Sequence, residues 1–145
     1  MIEYRIHVEE LLDPLYRHGC RVFSVVGSGG KTTLIRQAAM HYARLYQVGV
    51  AASTKMCLPD GQWEYQGCSP AVVSSDGQGD AKRQAAPICF YTERILPSGK
   101  IWDLGEQMLG QALEESDLLL IEADGSNRKP LKGWREDEPV IIPAT

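Results

Sequence analysis

The hydrophobic residues of this chain lie either in short continuous runs or at spacings of three and four. Residues 21–26 form a β-branched and aromatic run without glycine or proline, which is typical of a buried strand. Residues 32–46 follow with the periodicity of a helix that has one apolar face. That face consists of Leu34, Ile35, Ala38, Ala39, Tyr42, Leu45 and Tyr46, and the outer face carries Arg36, Gln37, His41 and Arg44. The pattern therefore predicts a strand, a glycine-rich loop and a helix.

Later apolar runs continue this alternation. Residues 48–52 predict a second strand at a spacing that suits a parallel crossover, although Gly49 weakens it. Residues 88–91 and 117–122 predict further strands, and residues 105–116 predict a short helix. These elements predict an α/β domain of the P-loop NTPase type, with a mostly parallel sheet flanked by helices.

Two segments are harder to assign. Residues 58–79 are rich in Gly, Pro, Ser, Asp and Gln, and they predict loops with small strands, notably at 71–73. Residues 138–145 contain another apolar strand candidate and then stop, which is typical of the front part of a longer protein. We expect residues 1–145 to form one domain that is incomplete at its C-terminal end.

The composition of the chain argues against several classes of protein. The apolar runs are too short to cross a bilayer of roughly 30 Å, and the start shows no secretory leader, so we expect a cytoplasmic protein without membrane binding. A net charge of −4 argues against nucleic acid as a partner, because broad nucleic-acid binding would need a basic surface, although it leaves room for a local basic patch. The four cysteines are expected to be free thiols, since they show no zinc or disulfide spacing.

A glycine-rich loop follows the first predicted strand: Gly27, Ser28, Gly29, Gly30, Lys31, Thr32 and Thr33. In a P-loop the backbone N–H groups surround nucleotide phosphates, the lysine reaches the terminal ones, and the next hydroxyl binds Mg²⁺. The loop therefore predicts binding of Mg²⁺ with ATP or GTP. The full motif has a glycine where this chain has Val25, so the match is to the shorter pattern G-x-x-G-K-T-T. A glycine-rich turn before an ordinary surface lysine is the alternative.

Two carboxylates, Glu122 and Asp124, follow the last buried strand at its carboxyl end, where open α/β sheets bind ligands. One of them can hold Mg²⁺ while the other orients a nucleophilic water. Together with Lys31, they are the candidate catalytic residues. The alternative is an ordinary turn at Asp124 and Gly125.

Four more polar residues are candidates for phosphate contacts. Thr54 and Lys55 follow the second strand and can face the same crevice as the loop. Arg128 and Lys132 lie just beyond the carboxylates, where they can stabilise phosphate charge or bind an acidic substrate. In the alternative interpretation all four are solvated loop residues, with Thr54 capping a turn.

Several motifs, taken together and in chain order, resemble one family. They are V-V-G-S-G-G-K-T-T at 25–33, S-T-K-M at 53–56, E-A-D-G-S at 122–126, P-L-K at 130–132 and E-P-V-I at 138–141. This set resembles the selenium-dependent hydroxylase accessory proteins of the YqeC type. Members of that family extend beyond the last motif and have a threonine-rich run where this chain has Ala52 and Ser53. The loop alone is also similar to that of the Mur ligases.

The resemblance implies a bacterial cytosolic P-loop protein that assists maturation of selenium-dependent molybdenum hydroxylases, with a client hydroxylase or a cofactor-maturation protein as partner. Three functions stay open. One is an Mg²⁺-dependent NTPase or nucleotide switch. Another is a kinase or Mur-like ligase that transfers phosphate to a small acidic substrate. The third is a non-catalytic partner-docking module. No N-K-x-D motif is present to select GTP over ATP.

Overall fold

A computed structural model describes residues 7–27, 29–79 and 86–123 of the chain. In chain order its elements are α1 (Val8–Arg17), β1 (Val22–Val25), α2 (Lys31–Tyr42), β2 (Val48–Ala52), β3 (Lys55–Cys57), a 3₁₀ turn (Gly61–Trp63), β4 (Ala71–Ser74), β5 (Ile88–Thr92), β6 (Arg94–Leu96), β7 (Lys100–Trp102), α3 (Glu106–Glu115) and β8 (Leu118–Glu122). None of the helices in these ranges has the length and apolar character needed to span a bilayer. The strand candidate within 138–145 lies outside the described residues.

The central sheet consists of five parallel strands in the order β1-β8-β2-β5-β4. β8 lies between β1 and β2, where Leu120 is the register partner of both Phe23 and Val50. The predicted α/β class with a mostly parallel sheet is therefore confirmed. The strands predicted at 21–26, 48–52, 71–73, 88–91 and 117–122 correspond to β1, β2, β4, β5 and β8.

Both faces of this sheet are covered. Along β8, Leu118 and Leu120 belong to the core cluster that includes Ile35 of α2. The alternate residues Leu119 and Ile121 belong to a second cluster, formed with Met108 and other residues of α3. Burial on both faces explains why β8 is a continuous apolar run rather than an alternating one.

A second, antiparallel sheet has the order β3-β7-β6. Met56 and Ile101 are buried beneath it, in the cluster on the α2 side of the central sheet. The buried Thr92 hydroxyl lies 3.0 Å from both the N and the O of Trp102, and this ties the end of β5 to the small sheet. The sequence patterns did not predict this sheet because each strand has only three residues.

The predicted helix at 32–46 is too long by four residues, since α2 ends at Tyr42. Residues 43–45 form a turn that leads the chain into β2. Leu45 was predicted on the apolar face but is 76% exposed. Tyr46, also predicted on the apolar face, is partly buried against the core, and its ring centroid lies 4.9 Å from that of Tyr16. The chain has to leave the helix early enough to enter β2 at Val48, and the spacing of apolar residues along the helix does not encode this requirement.

The helix α1 was not predicted. Its partly buried Leu12 and Tyr16 pack against the core cluster that contains α2 residues, together with the buried Val8. This packing corrects the prediction that His41 lies on an outer face. The His41 side chain is only 28% exposed, and its Nδ1 lies 4.0 Å from the Glu9 carboxylate of α1.

Candidate functional site

The carboxyl ends of β1, β8 and β2 meet at one edge of the central sheet. Glu122, at the end of β8, is the register partner of Val25 on one side and of Ala52 on the other. Backbone hydrogen bonds continue beyond the strands, from Ser53 N to Glu122 O at 3.0 Å and from Ala123 N to Val25 O at 3.0 Å. The parallel topology therefore places the Glu122 carboxylate beside the loop that follows β1.

The glycines of this loop have conformations or surroundings that suit a ligand-binding turn. Gly27 and Gly30 have φ values of 142° and 73°, in the left-handed region that favours glycine. Apart from the adjacent residues, no atom of the described part of the chain lies within 4 Å of a Cβ built on Gly27, Gly29 or Gly30. None of the described residues therefore fills the side of the loop on which these side chains would project.

The loop leads directly into α2. Gly30 is the N-cap of this helix and makes no side-chain cap hydrogen bond. The first backbone N–H groups of a helix have no partner within the helix, and they carry the positive end of its dipole. An anion is the natural partner for such groups.

Lys31, the first residue of α2, is buried at 7% exposure. Its Nζ donates a 2.8 Å hydrogen bond to the Gly27 carbonyl, so the side chain folds back along the loop. Among the described residues no carboxylate lies within ion-pair distance of this ammonium. The loop therefore carries a positive charge that is held in place by its own backbone.

Thr32 connects the loop to the end of β8. Its Oγ1 donates a 2.6 Å hydrogen bond to Oε2 of Glu122. A hydroxyl and a carboxylate are hard oxygen ligands, of the kind that Mg²⁺ prefers. The described residues hold no group of three or more His, Cys, Asp or Glu side chains that could bind a metal. Two protein oxygens nevertheless suit Mg²⁺, which usually completes its shell with water and substrate phosphates.

The remaining predicted site residues are less closely tied to this arrangement. Thr33 is exposed on the first turn of α2. The Thr54 carbonyl accepts a 2.9 Å hydrogen bond from Asp103 N. The Lys55 ammonium lies 4.9 Å from the ring centroid of Trp102, on the small sheet. Phosphate contacts by Thr54 and Lys55 stay predictions. Ser28, Asp124, Arg128 and Lys132 lie outside the described residues.

Sequence reasoning did not single out the residues that accompany Lys55 on the small sheet. Arg94, Lys100 and Trp102 are separated along the chain, and the three-residue alternation at 100–102 is too short to indicate a strand. They come together only through the antiparallel register.

Comparison with known proteins identifies relatives of the chain. The sequence model of a family described as YqeC protein matches residues 23–145. A protein of Escherichia coli (strain K12), named Uncharacterized protein YqeC, is 33% identical over 126 residues. This match covers 83% of the chain but 46% of the relative, so the chain spans less than half of that protein's length. No solved structure matches the chain.

Proposed function

This chain belongs to the YqeC protein family, and from the geometry of its loop we propose that it binds Mg²⁺ and the phosphates of a nucleoside triphosphate, ATP or GTP. The observation that carries the proposal is the 2.6 Å hydrogen bond from Thr32 to Glu122, made by the residue that directly follows the buried Lys31, whose ammonium is bonded to the loop. A solvated glycine turn would need neither feature. A phosphate site needs both a fixed cation and a place for the metal.

In this proposal the phosphates lie against the loop and the first turn of α2. Their oxygens accept hydrogen bonds from backbone N–H groups near Gly29 and Gly30, where no described side chain fills the space beside the glycines. The Lys31 ammonium exchanges its bond to the Gly27 carbonyl for bonds to the terminal phosphates. Because that side chain is already held at the loop, little conformational entropy is lost on binding.

Thr32 and Glu122 are the residues that would hold Mg²⁺, directly or through water. When bound, the ion would neutralise phosphate charge and orient the terminal phosphoryl group. The hydrogen bond between the two side chains keeps them at one point before the ion arrives. The carboxylate also lies at the sheet edge, where it can orient a water through its other oxygen.

Hydrolysis or nucleotide-dependent switching is the proposed consequence, because the Glu122 carboxylate can support an ion and orient an attacking water. The role in maturation of selenium-dependent molybdenum hydroxylases, which the family resemblance implies, is part of this proposal. The kinase or ligase alternative depends on Arg128 and Lys132, which are outside the described residues. Substrate-dependent release of product nucleotide would distinguish it.

Calorimetric titration of ATP and GTP, each with and without Mg²⁺, tests the proposal. The variant Lys31→Ala removes the loop cation. Arg44→Ala is the matched control, because it removes an exposed cation beyond the opposite end of the same helix. We expect Mg²⁺-dependent binding to the native chain and to Arg44→Ala, and loss of at least about tenfold in affinity for Lys31→Ala.

Either of two results would overturn the proposal. One is absence of binding by a native chain that circular dichroism shows to be folded. The other is an equal loss of affinity in Lys31→Ala and Arg44→Ala, because nucleotide attraction would then be a general effect of charge.

A further inference from the structure

The small antiparallel sheet presents a cationic face, of which only Lys55 is also a predicted phosphate contact. We define this cationic face as Lys55, Cys57, Arg94, Leu96, Lys100 and Trp102, which alternate along β3, β6 and β7 with residues of the opposite face. Two rows cross the sheet. One joins Lys55, Trp102 and Arg94, and the other joins Cys57, Lys100 and Leu96.

The small sheet has one buried side. Met56 and Ile101, on its other face, are 4% and 1% exposed. By contrast, Lys55, Arg94 and Lys100 are all exposed. The charged groups therefore point away from the core.

Trp102 holds two of these cations in place. The Lys55 ammonium lies 4.9 Å from its ring centroid, and the Arg94 guanidinium carbon lies 4.4 Å from it. Because β3 and β6 flank β7, the two cations approach the indole from opposite sides. Cation–π contacts of this kind reduce the freedom of long side chains, so less entropy is lost when they bind a partner.

Within the described part of the chain, no ion pair neutralises the positive charge of this face. No carboxylate in those ranges lies within 4.0 Å of the cationic groups of Lys55, Arg94 or Lys100. The nearby Asp76 carboxylate is not ion-paired with Arg94, although the two charges interact; hydrogen bonds from the Ser74 hydroxyl and from Gln78 N, together with Ile95 N and the charge of Arg94, lower the pKa of Asp76. The whole chain carries a net charge of −4, so this concentration of cations is local.

We propose that the cationic face binds an acidic, extended peptide segment of a partner protein. Its two rows are two residues apart along each strand, a spacing of roughly 6.8 Å. Arg94 and Lys100 lie in different rows on neighbouring strands, a diagonal separation of roughly 7–8 Å. Carboxylates on alternate residues of an extended peptide are roughly 6.8 Å apart, so one can contact Arg94 and the next Lys100 through these long side chains. Arginine can bind a carboxylate through two parallel hydrogen bonds, which fixes the orientation of the peptide.

Two other anionic partners suit this face less well. Single-stranded nucleic acid binds by stacking bases on aromatic rings, but cations already occupy the surroundings of Trp102. An anionic membrane surface is recognised by clusters of four to eight cations, more than this face provides. A short acidic peptide needs only two or three contacts.

The test measures fluorescence anisotropy of a labelled peptide with alternating glutamate and threonine, titrated with the native chain. The same peptide with glutamine in place of glutamate, a labelled oligodeoxythymidylate and phosphatidylserine vesicles are the comparison probes. The variant Arg94→Gln/Lys100→Gln removes two cations from the face. Its control, Arg17→Gln/Arg44→Gln, removes two exposed cations from the region of α1 and the end of α2.

We expect the glutamate peptide to bind the native chain, and its affinity to fall at least about tenfold in the Arg94/Lys100 variant and less than about twofold in the control. No binding of this peptide, equal loss in both variants, or tighter binding of oligodeoxythymidylate or vesicles would overturn the proposal. Because the experiment contains no nucleotide, its failure would not affect the proposed phosphate site.

Discussion

The Thr32 hydroxyl and the Glu122 carboxylate are 90 positions apart in the chain and are joined by a hydrogen bond of 2.6 Å. This bond links the first turn of α2 to the last residue of β8. The loop between β1 and α2 therefore depends on a strand that comes much later in the sequence. Predictions about metal binding and about stability both follow from this connection.

The variant Thr32→Val tests the metal-binding role. It keeps the shape of the side chain and removes the hydroxyl. We expect the gain in ATP affinity on adding Mg²⁺ to decrease by about tenfold, while affinity without Mg²⁺ changes by less than about twofold. Calorimetry with and without Mg²⁺ measures both quantities on one protein. An unchanged Mg²⁺ effect would exclude Thr32 as a ligand.

A double-mutant cycle measures the coupling between Thr32 and Glu122 without any ligand. Because the hydrogen bond is exposed, we expect an interaction free energy of about 0.5–1 kcal/mol between Thr32→Val and Glu122→Gln. Urea denaturation of the four proteins gives this value. Glu106→Gln, on the exposed first turn of α3, replaces Glu122→Gln in the control cycle, where the effects should add. Equal coupling in both cycles would contradict the contact.

Gly49 in β2 is required by close packing. A Cβ at this position would lie 2.5 Å from the Ser116 Oγ and 2.9 Å from Leu119 Cδ1. We therefore expect Gly49→Ala to lower the free energy of unfolding by about 1–3 kcal/mol. The same change at Gly110 in α3, where a Cβ meets nothing within 4 Å, should raise it by about 0.5–1 kcal/mol. Thermal denaturation of both variants checks that the two changes in stability have opposite signs. An undiminished stability of Gly49→Ala would show that the space between Gly49, Ser116 and Leu119 is wide enough for a methyl group.

Alkaline pH should destabilise the chain through two buried tyrosines. Burial, followed by the interaction with Asp13, raises the pKa of Tyr42 above its ordinary value of 10.0. Burial likewise raises the pKa of Tyr91. The folded chain thus keeps protons that the unfolded chain releases, so this stabilisation is complete below about pH 10 and is lost as pH rises above it.

Urea denaturation between pH 8 and 11 measures this loss. Above about pH 10 each of these tyrosines should contribute a slope of up to about 1.4 kcal/mol per pH unit. Tyr42→Phe should make the slope shallower, whereas Tyr65→Phe, at a partly exposed position, should leave it nearly unchanged. Equal slopes in all three proteins would contradict the role of Tyr42. Slopes are compared because the substitutions also change stability at neutral pH.

Local patterns predicted the main strands well because their causes are local. Residues 48–52 coincide with β2, and the apolar run at 117–122 coincides with β8 apart from its first residue. The apolar spacing of Val8, Leu12 and Tyr16 could also have indicated α1. Strand order was not predictable in this way, because the insertion of β8 between β1 and β2 depends on pairings distant in the chain.

The candidate site was likewise predictable only where its features are local in the sequence. The loop from Gly27 to Thr33 was recognisable by its spacing, and Glu122 by its place after a buried strand. The contact between Thr32 and Glu122 required the register of β8 against β1. The position of the Lys55 side chain over Trp102 was not predictable, since it results from pairing of β3 with β7.

The placement of β8 also has a consequence for biosynthesis. β1 and β2 leave the ribosome early, yet each needs β8 as its neighbour, and β8 is the last of the described strands to be made. A nascent chain that stops before residue 118 would therefore present two unpaired strand edges to chaperones or to other chains. Non-local parallel pairing of this kind forms slowly. We therefore expect the pairing of β8 with β1 and β2 and the contact between Thr32 and Glu122 to form together, late in folding.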